Sequence, residues 1–188
     1  MTSPRITIGV TTFDRTTLLQ ECLRSLMTQS FQAWHVLLGN DNPKRTLSVT
    51  ALGLDDRFTI INRSVNLGEL ANMNDLLDRA TTPYFTWLAD DDAYHPEFLH
   101  TMMQAMQDDP TLDVVFSNYW SGATYGTPPC SPALPARIYA PGELLDGYLS
   151  QRIRLIGCYE VYKTAFLKQL GGMPATGQVR ERMNLSHV

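Results

Sequence analysis

Apolar positions in this chain recur at two spacings, and the alternation between them marks out most of the elements. "RITIGV" (5–10), "AWHVLLGND" (33–41), "RFTIIN" (57–62), "PYFTWLA" (83–89) and "DVVFSNYW" (113–120) are short runs rich in β-branched and aromatic residues. Runs of this kind are expected to be strands, and the most apolar of them buried ones. Between them the period lengthens to that of a helix. "LLQECLRSLMTQ" puts Leu18, Leu19, Cys22, Leu23 and Leu26 on one face, with Thr16 or Thr17 as a candidate cap. "NLGELANMNDLLDRA" does the same with Leu70, Met73, Leu76 and Leu77, and Pro96 is placed to open a helix through "PEFLHTMMQAMQ".

Strands and helices alternating over about 120 residues predict an α/β domain with a mostly parallel sheet flanked by helices. Function in such sheets collects at the carboxyl ends of the strands. Those ends read "TTFDR", "GND", "NRSVN" and "ADDD", all polar, and a common edge would bring them together. Beyond residue 120 the pattern weakens into a Pro- and Gly-rich stretch to about 142, read as an irregular excursion, before "ELLDGYLSQ" and "CYEVYKTAFLKQLGG" resume regular periodicity.

Composition narrows the classes. A chain of 188 residues with 44% hydrophobic content suits one domain with a full core. A formal net charge of −4 without a basic run argues against nucleic-acid binding. No stretch approaches the roughly 18 apolar residues of a transmembrane helix, and the start lacks a signal-peptide core. The cysteines Cys22, Cys130 and Cys158 are widely spaced, which predicts reduced thiols in a cytoplasmic protein and no zinc site.

The densest chemistry is "ADDDAYHP". Asp90, Asp91 and Asp92 are adjacent in a chain that is only 18% charged. Neighbouring carboxylates repel, and dehydrating any of them is costly. Such a cluster is either a solvated turn or a site for a cation that removes the repulsion.

Several ordered segments resemble family-2 glycosyltransferases with the GT-A fold. They are "ITIGVTTFDRTTLLQECLRSLMTQSFQAWHVLLGND", "NLGELANMN", "FTWLADDDAYHPEFL" and "GCYEVYKTAFLKQLGGM". The resemblance implies a Rossmann-like GT-A domain over 1–188, with a nucleotide-sugar-binding part (1–120) and a short acceptor-side part (121–188). It implies transfer of a sugar from a nucleotide diphosphate donor to an acceptor hydroxyl, with inversion and with Mn²⁺ or Mg²⁺. Such an ion, held by oxygen ligands, neutralises the charge growing on the leaving diphosphate. The alternative is a nucleotide-sugar-binding remnant or partner subunit with little transfer activity. Either way the partner is a nucleotide sugar, the acceptor (glycan, lipid-linked or protein) is open, and the expected location is cytoplasmic, with peripheral attachment to the inner membrane face compatible.

Residue by residue, the resemblance makes Asp91 the main metal ligand, with Asp92 supporting and Asp90 near the ribose or diphosphate. Asp41 matches a base-contacting carboxylate, able to accept from the N3–H of uracil and so favouring a UDP donor. Asn40 stands where relatives carry another Asp. Thr11 is assigned to the base, Phe13 to the wall of the base pocket, and Arg15 to the nucleotide, while Asp14 could be an N-cap and Arg15 a surface cation. Asn66, Gly68 and Asn74 match the segment ahead of the fourth strand. Met73 replaces a basic residue common there, leaving Arg63 as a candidate for supporting the diphosphate. Tyr119 and Trp120 offer stacking surfaces for an acceptor sugar, although core or rim roles are commoner, and His95 reads as a turn residue. Glu181, nine residues past Gly172, is the candidate general base. Because little chain follows it, either the enzyme is abbreviated or an acceptor half is missing.

Overall fold

The structure is a computed structural model, and it describes residues 3–119, 137–153 and 159–174. Strands β1 (Ile6–Thr12), β2 (Trp34–Asn40), β3 (Phe58–Asn62) and β4 (Tyr84–Ala89) form a parallel block in the order β3-β2-β1-β4. Helix α1 (Thr16–Met27) links β1 to β2, α2 (Glu69–Arg79) links β3 to β4, and α3 (Phe98–Asp108) leads from β4 to β5 (Val114–Phe116). Helix α4 (Pro141–Leu149), strand β6 (Glu160–Lys163) and helix α5 (Thr164–Leu170) complete the described elements.

The sheet departs from the expected plan on one side. Strand β6 inserts between β4 and β5 and runs antiparallel to both. Strand β5 has three residues where eight were expected, and its pairing is with β6. Strand β6 comes late in the chain, so its place beside β4 is a long-range pairing that local pattern does not encode.

The core forms as the helical faces predict, with two exceptions. Leu19, Cys22, Leu23 and Leu26 of α1 are buried against Ile6, Ile8 and Val10 of β1 and Val36 and Leu38 of β2. Met102, Met103 and Met106 of α3 join the same cluster. Leu18 and Leu70, both assigned to buried faces, are instead 39% and 36% exposed. Each lies in the first turn of its helix, where the apolar stripe is just turning toward the sheet. Neither Thr16 nor Thr17 caps α1; both are inside it, and the N-cap residue is Arg15, with no side-chain cap bond. Pro96 precedes α3 by two residues instead of starting it, and its carbonyl accepts from the Ser30 N–H at 2.9 Å.

Buried polar side chains fix how the strand ends sit. Gln29 reaches the carbonyl of His95 (2.8 Å) and accepts from the Leu99 N–H (3.0 Å), locking the end of α1 to the start of α3. Asn40 donates to Asn62 Oδ1, and Asn62 exchanges two bonds with the Leu47 backbone, which holds the connection after β2 against β3. Asn40 therefore does structural work at the end of β2. Helix α2 lies close enough to β2 that a Cβ at Gly39 would come within 2.3 Å of Asn72 Oδ1, so any larger residue there would have to displace the Asn72 side chain.

Candidate functional site

The carboxyl ends of β1, β2 and β4 converge on one cleft of about 380 Å³. Of the residues assigned to a nucleotide, Thr11, Phe13, Arg15, Asp41, Asn66, Gly68 and Asp90 line it, together with Thr12, Glu69 and Asn72, which the sequence did not single out.

The turn from β1 to α1 is built for close contact. Asp14 adopts φ 63°, a left-handed conformation that Asp tolerates better than most residues, and its carboxylate pairs with Arg45 at 3.2 Å. On either side of it, Phe13 stands 51% exposed at the cleft, and Arg15 turns toward the end of β4.

There Arg15 answers the repulsion within the acidic triplet. Its Nη1 donates to Asp90 Oδ1 at 3.1 Å and to Asp91 Oδ2 at 2.6 Å, while Thr12 Oγ1 donates to Asp90 Oδ2 at 2.6 Å. Asp90 is buried and Asp91 about half exposed. The cluster is thus neither a bare solvated turn nor dependent on an external ion for all its compensation, because the chain supplies a guanidinium. A hydrogen bond to a charged group is worth about 1.5–3 kcal/mol, so Thr12 alone offsets much of the cost of burying Asp90.

Asp92 has a different environment. Burial pushes its carboxyl up from the usual range; a hydrogen bond from Tyr159 works against that, and the charges of Asp91 and Asp90 add to it. The ring of Tyr159 stacks on Tyr119 at 5.7 Å, so one of the two aromatics assigned to an acceptor surface is engaged with the protein itself. Trp120, the other, lies outside the described residues, as does Glu181.

Asp41 is buried and bound on both oxygens: Oδ1 accepts from the Leu67 N–H at 2.8 Å and Oδ2 from the Gly68 N–H at 2.9 Å. It pins the loop ahead of α2 to the end of β2. Gly68 makes this possible with φ 82°, a conformation costly for residues with a Cβ, and its N–H is shared with Asn66 Oδ1 at 2.7 Å. A carboxylate has about four acceptor sites, so capacity remains for a ligand donor.

Two assignments fall away from the cleft. Asn74 does not line it; its amide donates to the Met173 carbonyl (2.9 Å) and accepts from the Met173 N–H (2.8 Å), clamping α2 to the segment after α5. Arg63 is not poised for a diphosphate either. Its side chain is 9% exposed and bonds Asn72 Oδ1 (3.0 Å) and Asp75 Oδ2 (2.6 Å). Asn72 in turn donates to the Gly39 carbonyl at 2.9 Å. A buried asparagine on the apolar face of an amphipathic helix was the signal available in the sequence for this network. For Thr12 the signal was its place beside Thr11 at the strand end. Glu69 carried none.

The acidic triplet is made of hard oxygen donors. Asp90, Asp91 and Asp92 offer only oxygens, the preference of Mg²⁺ and Mn²⁺. No group of three or more His, Cys, Asp or Glu side chains among the described residues is arranged to hold an ion alone. Among the described residues, no helix is long and apolar enough to cross a membrane.

The family described as Glycosyl transferase family 2 matches residues 7–155. Among curated proteins, GalNAc(5)-diNAcBac-PP-undecaprenol beta-1,3-glucosyltransferase of Campylobacter jejuni is 30% identical over 105 residues, which are 54% of this chain and 34% of that one. Among solved structures, S. aureus TarS 1-349 in complex with UDP-GlcNAc superposes with a TM-score of 0.66 at 18% identity, covering 89% of this chain and 47% of that one. The mannosyltransferase PcManGT of Pyrobaculum calidifontis, in complex with GDP-Man and Mn²⁺, gives 0.61 at 18% identity, covering 93% and 48%. The chain thus spans about a third of that curated relative and about half of each solved chain.

Proposed function

Because the chain belongs to glycosyl transferase family 2, we propose that its cleft binds a nucleotide diphosphate sugar and that the sugar is transferred to an acceptor hydroxyl with inversion. The observation that carries this reading is the convergence at one sheet edge of an exposed aromatic wall, Phe13, with the Arg15–Asp90–Asp91 cluster. An apolar face beside a charged one matches a ligand with a flat base at one end and a diphosphate at the other. The TarS and PcManGT structures, in complex with UDP-GlcNAc and with GDP-Man and Mn²⁺, support it at the level of the fold.

Each residue has a part. Phe13 and Thr11 flank the base. Asp41 holds the loop of Asn66 and Gly68 against it and, with its remaining acceptor capacity, favours the N3–H of uracil and hence UDP. Asp90 lies by the ribose or diphosphate. Asp91, with Asp92, would hold a divalent ion, Mn²⁺ or Mg²⁺. That ion neutralises charge on the departing diphosphate when bound. As the acceptor oxygen bonds to the anomeric carbon, the bond to the diphosphate breaks on the opposite face. The acceptor proton passes to a carboxylate, for which Glu181 is the candidate on sequence grounds. Residues 1–120 form the donor side in this scheme, and 121–188 contribute toward the acceptor.

Calorimetric titration with UDP, GDP and dTDP sugars, each with Mn²⁺ and with EDTA, tests this. UDP sugars should bind best, and at least about tenfold more weakly in EDTA. No binding of any nucleotide sugar in either condition would refute the donor-site reading. Equal affinities with and without metal would remove the ion alone.

A further inference from the structure

We propose that Arg15 is an internal counter-cation that closes the Asp90–Asp91 carboxylates to a free divalent ion and gives them up only when a nucleotide diphosphate takes its guanidinium, so that ion and nucleotide bind as one unit. This rests on the donor-site reading and says how that site is filled.

Two observations meet here. The first is the pair of contacts from a single nitrogen, Arg15 Nη1, to Asp90 at 3.1 Å and Asp91 at 2.6 Å. An incoming divalent ion on those oxygens must displace the guanidinium or sit beside it as a second positive charge. Either course costs affinity, because like charges a few ångströms apart in a half-buried site are poorly screened. The second is the charge of the cleft. Its lining carries three carboxylates, Asp41, Glu69 and Asp90, against the one guanidinium of Arg15. A diphosphate arriving without an ion meets net negative charge. An ion arriving without a diphosphate meets Arg15. The ion alone must compete with Arg15 and the diphosphate alone meets repulsion, so each binds less well by itself than with the other.

Arg15 is suited to the exchange. Its side chain is 52% exposed and sits on the cleft wall, and a guanidinium binds phosphate oxygens in a forked geometry that matches or exceeds what it makes to two separate carboxylates. Other nearby arginines are committed elsewhere: Arg45 to Asp14 and Thr16, Arg63 to Asn72 and Asp75. The consequence is positive coupling, which must be reciprocal: whatever factor UDP adds to Mn²⁺ affinity, Mn²⁺ adds to UDP affinity.

The test measures Mn²⁺ binding to the full chain by electron paramagnetic resonance, with and without UDP, in the parent, Arg15→Met and Arg15→Lys. The parent should bind Mn²⁺ alone at least about tenfold more weakly than with saturating UDP. Arg15→Met should bind Mn²⁺ alone about tenfold more tightly than the parent while binding UDP with Mn²⁺ more weakly, opposite changes that general loss of structure cannot produce. Arg15→Lys, which keeps the charge, should stay near the parent for the ion alone. If Arg15→Met leaves Mn²⁺ affinity unchanged or lower while UDP still binds, the counter-cation role is wrong and the donor site stands. If neither variant nor parent binds UDP or Mn²⁺, both readings fall.

Discussion

Replacing Asp41 separates its two jobs, holding a loop and meeting a base. In Asp41→Ala the Leu67 and Gly68 N–H groups lose acceptors at 2.8 and 2.9 Å. A hydrogen bond to a charged group contributes about 1.5–3 kcal/mol, so full loss of two would be about 3–6 kcal/mol. Two features of the site reduce this. The Gly68 N–H keeps Asn66 Oδ1 at 2.7 Å, and Leu67 is 40% exposed, so water can replace part of what its N–H loses. We expect about 2–3 kcal/mol, which for a chain of this length lowers the melting temperature by about 4–12 °C. Asp41→Asn, which keeps one acceptor, should lose about half as much. Scanning calorimetry measures the stability, and UDP and inorganic pyrophosphate titrations in Mn²⁺ follow binding. If Asp41 also reads the base, UDP affinity falls much further than pyrophosphate affinity. A melting temperature for Asp41→Ala within about 1 °C of the parent would falsify the loop-holding role.

Two further outcomes follow from the supporting network. Asn74→Ala removes both bonds to the Met173 backbone and should cost about 1–3 kcal/mol, with amide exchange quickening at 171–173 before the sheet is affected; unchanged exchange there would mean the clamp carries no weight. Burial pushes the Asp75 carboxyl up, but hydrogen bonds from Arg79 and Arg63 outweigh it and hold the group below its ordinary range. A depressed folded value means stability that is present at neutral pH and lost as pH falls through that value. Asp75→Asn should therefore melt lower than the parent at neutral pH and converge with it in acid, and a gap independent of pH would refute the assignment.

The parallel half of the fold was legible because β1 to β4 and their helices carry strong local patterns. Ile6, Ile8 and Val10 in one strand and Leu19, Cys22, Leu23 and Leu26 in one helix leave little choice of face. The polar strand ends could likewise be read as one edge, and seven of the eight nucleotide-site assignments line one cleft. Asn74 is the eighth, and its partner lies 99 residues away, beyond the reach of any local pattern. The insertion of β6 between β4 and β5 is out of reach of local pattern for the same reason. Leu18 and Leu70 failed differently. Periodicity fixes a helical face but not where along the helix the sheet begins to cover it.

The acidic triplet shows how a local reading can be right about the conflict and incomplete about its resolution. Three adjacent carboxylates demand compensation, and from sequence the natural choices were water or an external cation. The structure adds a third, because the left-handed turn at Asp14 brings Arg15 onto Asp90 and Asp91, with Thr12 completing the buried one. That arrangement lets the protein offset part of the triplet's charge by itself. Partial compensation has a functional cost, since a metal must compete with Arg15 for the oxygens of Asp90 and Asp91. Binding then requires a ligand that rewards Arg15 for leaving, and a diphosphate does so while supplying oxygens that the cluster lacks for completing an ion's coordination. The same residue pair that stabilises the free protein would thereby discriminate against ions without nucleotide and nucleotides without ions.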